Sequence, residues 1–510
     1  MRTIGIDFGT CNIKAAEKKA NKDMPVSLKL GRDINNSMIP NVIGYEAKDA
    51  DYTYYLGKLA ENKQLDENDM IRHIKSHLQE NSWRRKLSFG KEVVVSDVVD
   101  DIMKFLYNEV YGNNRDEEIR TTITIPVNFS IIQKNIVESA ARKAGFKVDG
   151  IITEPFAALF FLMHDYFDKK EKHNVLIFDF GGGSLDFCLA EVKEKSVTTL
   201  STIGISYGGN SINSDILENI LKVQESDRKL LEQAAEVEEK VRISNNVRVM
   251  EAIEQLKAEM FYDDEDIDLD EKHDYIVTFL GAPGFFKEIA AKDIYKMFDN
   301  QEVTKRVEKL LDNLFSESDI NPKDINDVFM VGGSSSIPYF RSILENYFEK
   351  HGCNDINELF SANDDIDREE RLYSSVALGA ALYANLLASG NVKIDDRIPF
   401  MVYSKDEKGR KWTKVRNDSF ASGAPAPWAK LTDTMKENRK IQLYQNIFED
   451  KDKEVYLGDV FLSDEIAANA KFYRIAIGKR HNISVEFGAG EIKDDGDYDK
   501  KWSLDFGVKK

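Results

Sequence analysis

The sequence predicts an α/β protein of two similar lobes, followed by a smaller all-β unit. Three observations carry that prediction. An apolar strand ending in Asp-Phe-Gly occurs twice, in IGIDFGT at residues 4–10 and in VLIFDFG at 175–181. β-branched strands alternate with amphipathic helices up to about residue 388, the pattern of a parallel or mixed sheet. Beyond about residue 390, short runs of alternating apolar and polar residues take over.

The elements follow in order. Residues 3–8, TIGIDF, read as a buried strand that ends at Asp7. After Gly9 and Thr10, the IKAA segment reads as the return strand of a hairpin. Residues 121–127 are again strand-like. Ser130 then caps a helix whose Ile132, Ile136, Ala140 and Ala144 share one face, and Gly145 ends it. Residues 175–181 and 327–333 are two further buried strands. Ser335 or Ser336 is placed to cap the next helix. Pro338 sits in its first turn, and Phe340, Ile343, Leu344 and Tyr347 form its buried stripe. Residues from about 210 to 280 form a helical subdomain rich in Glu and Lys. Its acidic run DDEDIDLDE, 263–271, reads as a solvated loop. The runs FMVYS, IQLYQ, FYRIAIG, ISVEF and WSLDF, separated by turn signals, predict a β-sandwich in which Ile483, Val485 and Phe487 face one side. The expected boundaries are 1–388 for the α/β unit, with lobes of about 1–170 and 171–388. A linker at 389–396 and a β unit at 397–510 complete the chain.

Composition narrows the function. At 510 residues the chain exceeds one core, and 42% hydrophobic with 31% charged residues is ordinary for a soluble protein. A net charge of −19 repels phosphate backbones and anionic lipid, which argues against nucleic-acid and membrane partners. Cys11, Cys188 and Cys353 are odd in number and lack metal-ligand spacing, as expected in a reducing compartment. With no signal-like segment and no apolar run of membrane-spanning length, a cytoplasmic location is expected.

Asp-Phe-Gly also occurs in protein kinases, but that reading fails. No histidine lies in an HRD sequence, no GxGxxG loop precedes a V-A-I-K-like strand, and no GK is followed by Ser or Thr. The glycines are more informative. Gly181, Gly182 and Gly183 let backbone N–H groups approach an anion, and Ser184 adds a hydroxyl. Gly9, Thr10 and the Cys11 amide offer a second such turn. Asp7 and Asp179 stand beside these turns, where carboxylates hold Mg²⁺ through its waters. Tight turns with structural glycines are the plainer alternative for either motif alone. Two such turns, with the pairs Gly208-Gly209 and Gly332-Gly333, favour phosphate binding.

These segments together resemble the actin-like ATPase superfamily, and within it the 70-kDa heat-shock chaperones. IGIDFGT resembles the first phosphate loop, VLIFDFGGGSLDF the second, and VFMVGGSSSIPYF the adenosine segment. TITIPVNFSIIQKNIVESAARKAGF with IITEPFAALFFL resembles the long segment between the two loops, and VALGAALYA the closing helix. The resemblance implies a two-lobed, actin-like ATPase domain with a C-terminal β-sandwich that binds extended polypeptides. It implies ATP/ADP and Mg²⁺, with K⁺ as a candidate second cation. Unfolded polypeptides are the implied clients, with a J-domain co-chaperone and a nucleotide exchange factor as partners. By resemblance, Asp7 and Asp179 orient hydrated Mg²⁺ and the attacking water. Glu154 sits by that water, and Lys75 reaches the γ-phosphate, where a cation stabilises developing charge. Asn12, Gly208, Gly209, Gly332, Gly333 and Ser334 join the nucleotide contacts. Pro126 matches an allosteric proline, and Lys134 stands where a relay arginine is usual, without its fork geometry.

The departures lie at the base. In EQLKAEMF, Glu254 and Lys257 are retained, but Ala258 replaces one stacking arginine. In GGSSSIP, Ser336 replaces the other, and Phe261 is an alternative ring for stacking. The resemblance also implies a chaperone without the helical lid, with fast peptide exchange, and a linker, VKIDD, of reduced apolar character. The competing reading is a nucleotide-binding adaptor with one dedicated partner. A sugar-kinase-like phosphotransferase and a filament-forming relative fit less well.

Overall fold

The computed structural model describes residues 2–506 apart from 31–36, 50, 64, 79–82, 113–118, 168, 195, 222–238, 262–266, 279–283, 354, 364–365, 391–392, 396–400, 406–408, 416–426, 448–449, 478–482 and 493–496.

The two lobes repeat one topology. In lobe I, β1 (Arg2–Phe8) pairs antiparallel with β2 (Asn12–Lys19) and parallel with β3 (Ile119–Ile125), which pairs parallel with β4 (Lys147–Thr153). In lobe II, β5 (His173–Phe180) pairs antiparallel with β6 (Leu185–Lys193), β6 pairs antiparallel with β7 (Ser196–Ile205), and β5 pairs parallel with β8 (Asp327–Val331). Central strands covered on both faces need apolar residues throughout. Ile4, Ile6 and Phe8 of β1 and Val175 to Phe178 of β5 are fully buried accordingly. This is the two-lobed actin-like architecture.

Helices close the gaps. A short α1 (Ile74–His77) precedes α2 (Val95–Tyr111). In α3 (Ile131–Ala144), Ser130 and Gln133 cap each other reciprocally, and Gly145 ends the helix at φ 111°. Its expected stripe is displaced. The helix buries Ile131, Lys134, Val137, Ala140 and Ala141. Ile136 and Ala144 are only partly buried against lobe I, and Ile132 packs on the C-terminal unit. The apolar residues serve two neighbours on two faces, so a single i, i+4 row does not describe them. In lobe II, α5 (Gly209–Asp215) and α6 (Glu239–Phe261) follow α4 (Glu154–Leu162). In α7 (Pro338–Lys350) the predicted stripe is buried, but neither serine caps the helix. Ser335 and Ser336 donate back to the carbonyls of Gly332 and Gly333 in a 3₁₀ turn, leaving Ile337 at the cap position.

Residues Glu370–Ser389 form one helical stretch long and apolar enough to cross a membrane, a length the sequence reading did not find. Its regular part, α8 (Ser375–Ser389), is buried from Ser375 to Ala384 and packs on β1 and α4. The helical subdomain also carries an unanticipated hairpin, Lys272–Val277 with Phe285–Ala290. The described part of the acidic run, 267–271, is coil and turn leading into it; its earlier residues lie outside the described ones. In the expected linker, Lys393–Asp395 pairs in parallel with Ser196–Thr198 at the edge of the lobe II sheet.

The C-terminal unit is a sandwich of two four-stranded sheets. One orders Lys411–Val415, Val402–Lys405, Lys440–Ile447 and Asp450–Phe461. The other orders Ala429–Lys430, Phe472–Ile477, Ile483–Ile492 and Tyr498–Asp505. Between them Ile441, Leu443, Tyr473, Ile475, Ile483, Val485 and Phe487 are buried. Ile131 of α3 reaches into this core, and its N–H donates to Gln445 Oε1 at 3.1 Å.

Candidate functional site

Both hairpin turns open into one cleft of about 310 Å³ between the lobes. Strand register places the charges at its floor. On lobe I, Asp7 lies opposite Lys14 across β1 and β2, and the pair is bridged at 3.2 Å. On lobe II, Asp179 lies opposite Asp186 across β5 and β6. Glu154, the first residue of α4, pairs with Lys75 of α1, and both are largely buried.

The lobe I turn is held from outside. Asn41 Nδ2 donates to the Gly9 carbonyl at 2.8 Å, and Asn41 N–H donates to the Cys11 carbonyl at 2.7 Å. His73 Nδ1 lies 3.2 Å from the Thr10 carbonyl, and since a carbonyl only accepts, Nδ1 carries the proton. His73 N–H donates to the Asn41 carbonyl, joining the two clamps. In a trans peptide the carbonyl and the following N–H point opposite ways. Three carbonyls fixed outward therefore turn the N–H groups of Thr10, Cys11 and Asn12 toward the cleft, an anion cradle. His73 holds a left-handed φ of 52° just before Lys75, so the clamp also sets the lysine's helix.

The lobe II turn is shaped by missing side chains. A Cβ on Gly182 would lie 2.3 Å from Cys11 Sγ, and one on Gly183 would lie 2.3 Å from Thr10 Oγ1. The glycines are needed because the other lobe's turn packs on them. Gly209 and Asn210 donate to the carbonyls of Gly181 and Gly182, and the Ser334 hydroxyl donates to Gly181. Asn210 also accepts from the Cys11 thiol at 3.5 Å. Burial pushes that thiol up to about 11, so it stays protonated.

Asp7, Glu154 and Asp179 share this floor, and Asp186 is fully buried behind it. Burial raises Asp179 well above the usual carboxylate range, and Glu154, Asp186 and Asp7 push it further. Burial pushes Asp186 up to about 8, with Glu154 adding to it. Glu154 is also raised by burial, opposed by the Lys75 ammonium. Among the described residues, Asp179 Oδ2 and Asp186 Oδ1 are buried acceptors without a hydrogen-bond partner. The orphaned Asp179 oxygen beside Asp7 and Glu154 on the cleft wall fits a hydrated cation, whose charge would favour the ionised carboxylates.

A family model described as Hsp70 protein matches residues 3–477. The chain belongs to the Hsp70 family. It is 24% identical to the chaperone protein dnaK of Guillardia theta over 77% of this chain and 61% of that protein. It is equally identical to the chaperone protein DnaK of Mycoplasmopsis agalactiae, covering 77% and 59%. To the heat shock 70 kDa protein 7, chloroplastic, of Arabidopsis thaliana it is 25% identical, covering 77% and 53%. The chain thus spans about three fifths or less of the length of these relatives.

Within this Hsp70 chain the cleft gathers Asp7, Gly9, Thr10, Cys11, Asn12, Lys75, Glu154, Asp179, Gly181, Gly182, Gly183, Ser184, Gly209, Glu254, Gly332, Gly333 and Ser334. The remaining candidates stand off the cleft wall. Gly208 packs beneath Gly182 and Gly183, and Lys257 is fully buried, bonded to the Gly209 carbonyl and Glu254. Ser336 turns back to Gly333, Pro126 lines a neighbouring cavity, and Lys134 is buried on α3. Phe261 is buried in the lobe II core, parallel to Tyr295, and offers no ring to the cleft. Among the described residues, the aromatic ring that lines it is Tyr373. The preceding turn is pinned by Gly332 N–H to the Leu372 carbonyl and Arg371 to the Met330 carbonyl. A Cβ on Gly333 would come within 3.1 Å of the Tyr373 ring. Sequence reasoning missed Tyr373, Lys14, Asp186, Asn41 and His73. Lys14 and Asp186 were signalled by register: each follows its aspartate by seven residues across a hairpin.

Proposed function

We propose that this chain is an ATP-binding, Mg²⁺-dependent ATPase that acts as a chaperone, binding extended polypeptide segments through its β-sandwich under nucleotide control. The observation that carries the reading is the face-to-face packing of two phosphate turns over Asp7, Asp179, Glu154 and Lys75. Amides of Thr10, Cys11 and Asn12 hold phosphate oxygens, and Lys75 meets charge developing on the terminal phosphoryl group. Glu154 accepts a hydrogen bond from the attacking water, held in place by Lys75. Asp7 and Asp179 would hold hydrated Mg²⁺, which would supply neutralisation of phosphate charge. Tyr373 takes the base as a stacking surface in place of the absent cations at 258 and 336. Extended clients bind by main-chain hydrogen bonds and side-chain pockets. A J-domain co-chaperone and an exchange factor belong to the same reading.

A second reading, a nucleotide-binding adaptor with little turnover, is favoured by the base end of the cleft, where Lys257 and Ser336 do not line the wall. One experiment separates them. ATP turnover is measured with and without unfolded peptides, beside Asp179→Asn and Lys75→Ala. Peptide-stimulated turnover lost in both variants supports the chaperone. Nucleotide binding without turnover, indifferent to peptide, supports the adaptor. Phosphate transfer to a small molecule sinks both.

A further inference from the structure

The cleft wall at Tyr373 is built differently from the charged floor. Residues Glu370–Ser374 form a π-helical turn, a widening of the helix that recurs at functional sites. It brings Leu372 and Tyr373 to the wall, where Val376 joins them. The turn is fixed to the neighbouring strand end, since the Leu372 carbonyl accepts from Gly332 N–H at 3.0 Å. The Tyr373 ring lies so close to the Gly333 backbone that a Cβ there would come within 3.1 Å of it. An aromatic ring flanked by Leu372 and Val376 receives another flat ring by its face.

The polar side chains around this wall are committed to the protein itself. The Ser334 hydroxyl donates to the Gly181 carbonyl at 3.0 Å, Ser335 to Gly332 at 2.6 Å and Ser336 to Gly333 at 2.7 Å. Lys257 bonds the Gly209 carbonyl at 3.3 Å and Glu254 at 2.8 Å, and it does not line the cleft. Glu254 does line it, but a carboxylate paired with Lys257 only accepts. Adenine and guanine each carry an amino group that can donate to it, so it does not separate them. The cleft's other polar side chains, Thr10, Asn12, Lys14, Lys75 and Ser184, belong to the phosphate turns and the floor, and Asn210 is engaged with Cys11.

We propose that the cleft holds a nucleotide by its phosphates and stacks the base on Tyr373 without reading its edge, so that purine nucleoside triphosphates as a class are its substrates, GTP as well as ATP. This rests on the ATPase reading above. Strong discrimination between two bases needs donors and acceptors set against their different edges, whereas stacking tolerates any base because every base has a π-face. The reaction is the same for both purines. A water oxygen bonds to the γ-phosphorus and the bond to the bridging oxygen breaks, giving the nucleoside diphosphate, orthophosphate and a proton. Pyrimidines offer a smaller face and are held less tightly.

The test uses the full chain with Mg²⁺. ADP, GDP and CDP are titrated by calorimetry, with inorganic pyrophosphate as a probe of the phosphate turns alone, and turnover of ATP and GTP is followed by orthophosphate release. The expected result is that ADP and GDP bind within about tenfold of each other, that ATP and GTP turn over within about tenfold, and that CDP binds several-fold more weakly. Tyr373→Ala should weaken ADP and GDP alike, by about tenfold, and leave pyrophosphate unchanged; Tyr373→Phe keeps the ring and should stay within about twofold of the unaltered chain. GDP binding about a hundredfold or more below ADP overturns the inference, because a ratio of that size requires the edge to be read. Unchanged nucleotide affinity in Tyr373→Ala overturns it as well. If the unaltered chain binds neither diphosphate, or binds ATP without turning it over, the ATPase reading itself fails, an outcome distinct from selective binding of ADP.

Discussion

In each lobe the residue seven places after the strand-end aspartate returns opposite it across a hairpin. In lobe I that residue is Lys14, and Asp7 is ion-paired. In lobe II it is Asp186, and Asp179 faces a second carboxyl group. The turns differ in the same spirit. The lobe I turn keeps its side chains and is clamped through its carbonyls by Asn41 and His73; the lobe II turn gives up its side chains so that the first can pack on it. One backbone topology thus yields a self-neutralised half and a half that stays charge-deficient until a cation arrives. A repeated fold supplies the symmetry of the cleft, and a single register position supplies its polarity.

Substitutions at four positions break or sharpen this contrast. Asp179→Asn removes the lobe II carboxylate and is expected to lower turnover about 1,000-fold while nucleotide still binds, read by steady-state rates against titration of ADP. Retained turnover would show that the two aspartates do not differ as argued. Lys14→Met erases the difference from the lobe I side. It leaves Asp7 buried among carboxylates, and without Mg²⁺ the urea midpoint should fall by about 3 kcal/mol of stability at pH 7. An unchanged midpoint would show that the pair contributes nothing.

His73 tests the clamp. His73→Asn keeps a left-handed residue and places an amide donor near Nδ1, so nucleotide affinity should stay within about twofold, whereas His73→Leu should weaken it about tenfold, the worth of one hydrogen bond. Equal loss in both would mean that packing, not the donor, matters. The gentlest test is Asp186→Asn. The folded carboxyl titrates near 8 and the unfolded one near 3.9, so in the cation-free protein Asp186 lowers stability progressively as pH rises from about 4 to about 8. Asp179 and Glu154 act in the same direction. Melting temperatures should therefore fall less steeply with pH in Asp186→Asn; identical slopes would remove Asp186 from the account.

The strand-turn-strand units were legible because buried strands announce themselves by continuous apolar runs and turns by glycine. Asp7, Asp179 and the glycines followed directly, and Ile483, Val485 and Phe487 turned inward as their period-two spacing requires. Residues whose role depends on distant pairing were not legible. Asn41 and His73 lie in no motif and act only because the chain returns to the Gly9–Cys11 carbonyls. The α3 stripe was misassigned because that helix has two neighbours. The serines before α7 have free choice between capping forward and bonding back, and the 3₁₀ turn decides.

The bond between Ile131 and Gln445 has a further consequence. A helix's first N–H groups are left without partners by its own geometry, and here one is completed by a side chain from another unit. Drawing the sandwich away would trade that bond for one to water and uncover the Ile131 side chain, a loss of about 1.5–3 kcal/mol of apolar burial. By reciprocity, whatever shifts the segment from Pro126 to Ser130 alters the sandwich's hold by the same free energy. Because Pro126, Asn128 and Phe129 line a cavity that shares Thr10 and Lys75 with the cleft, the proposed polypeptide ligand of the sandwich and the proposed nucleotide would bear on the same short turn.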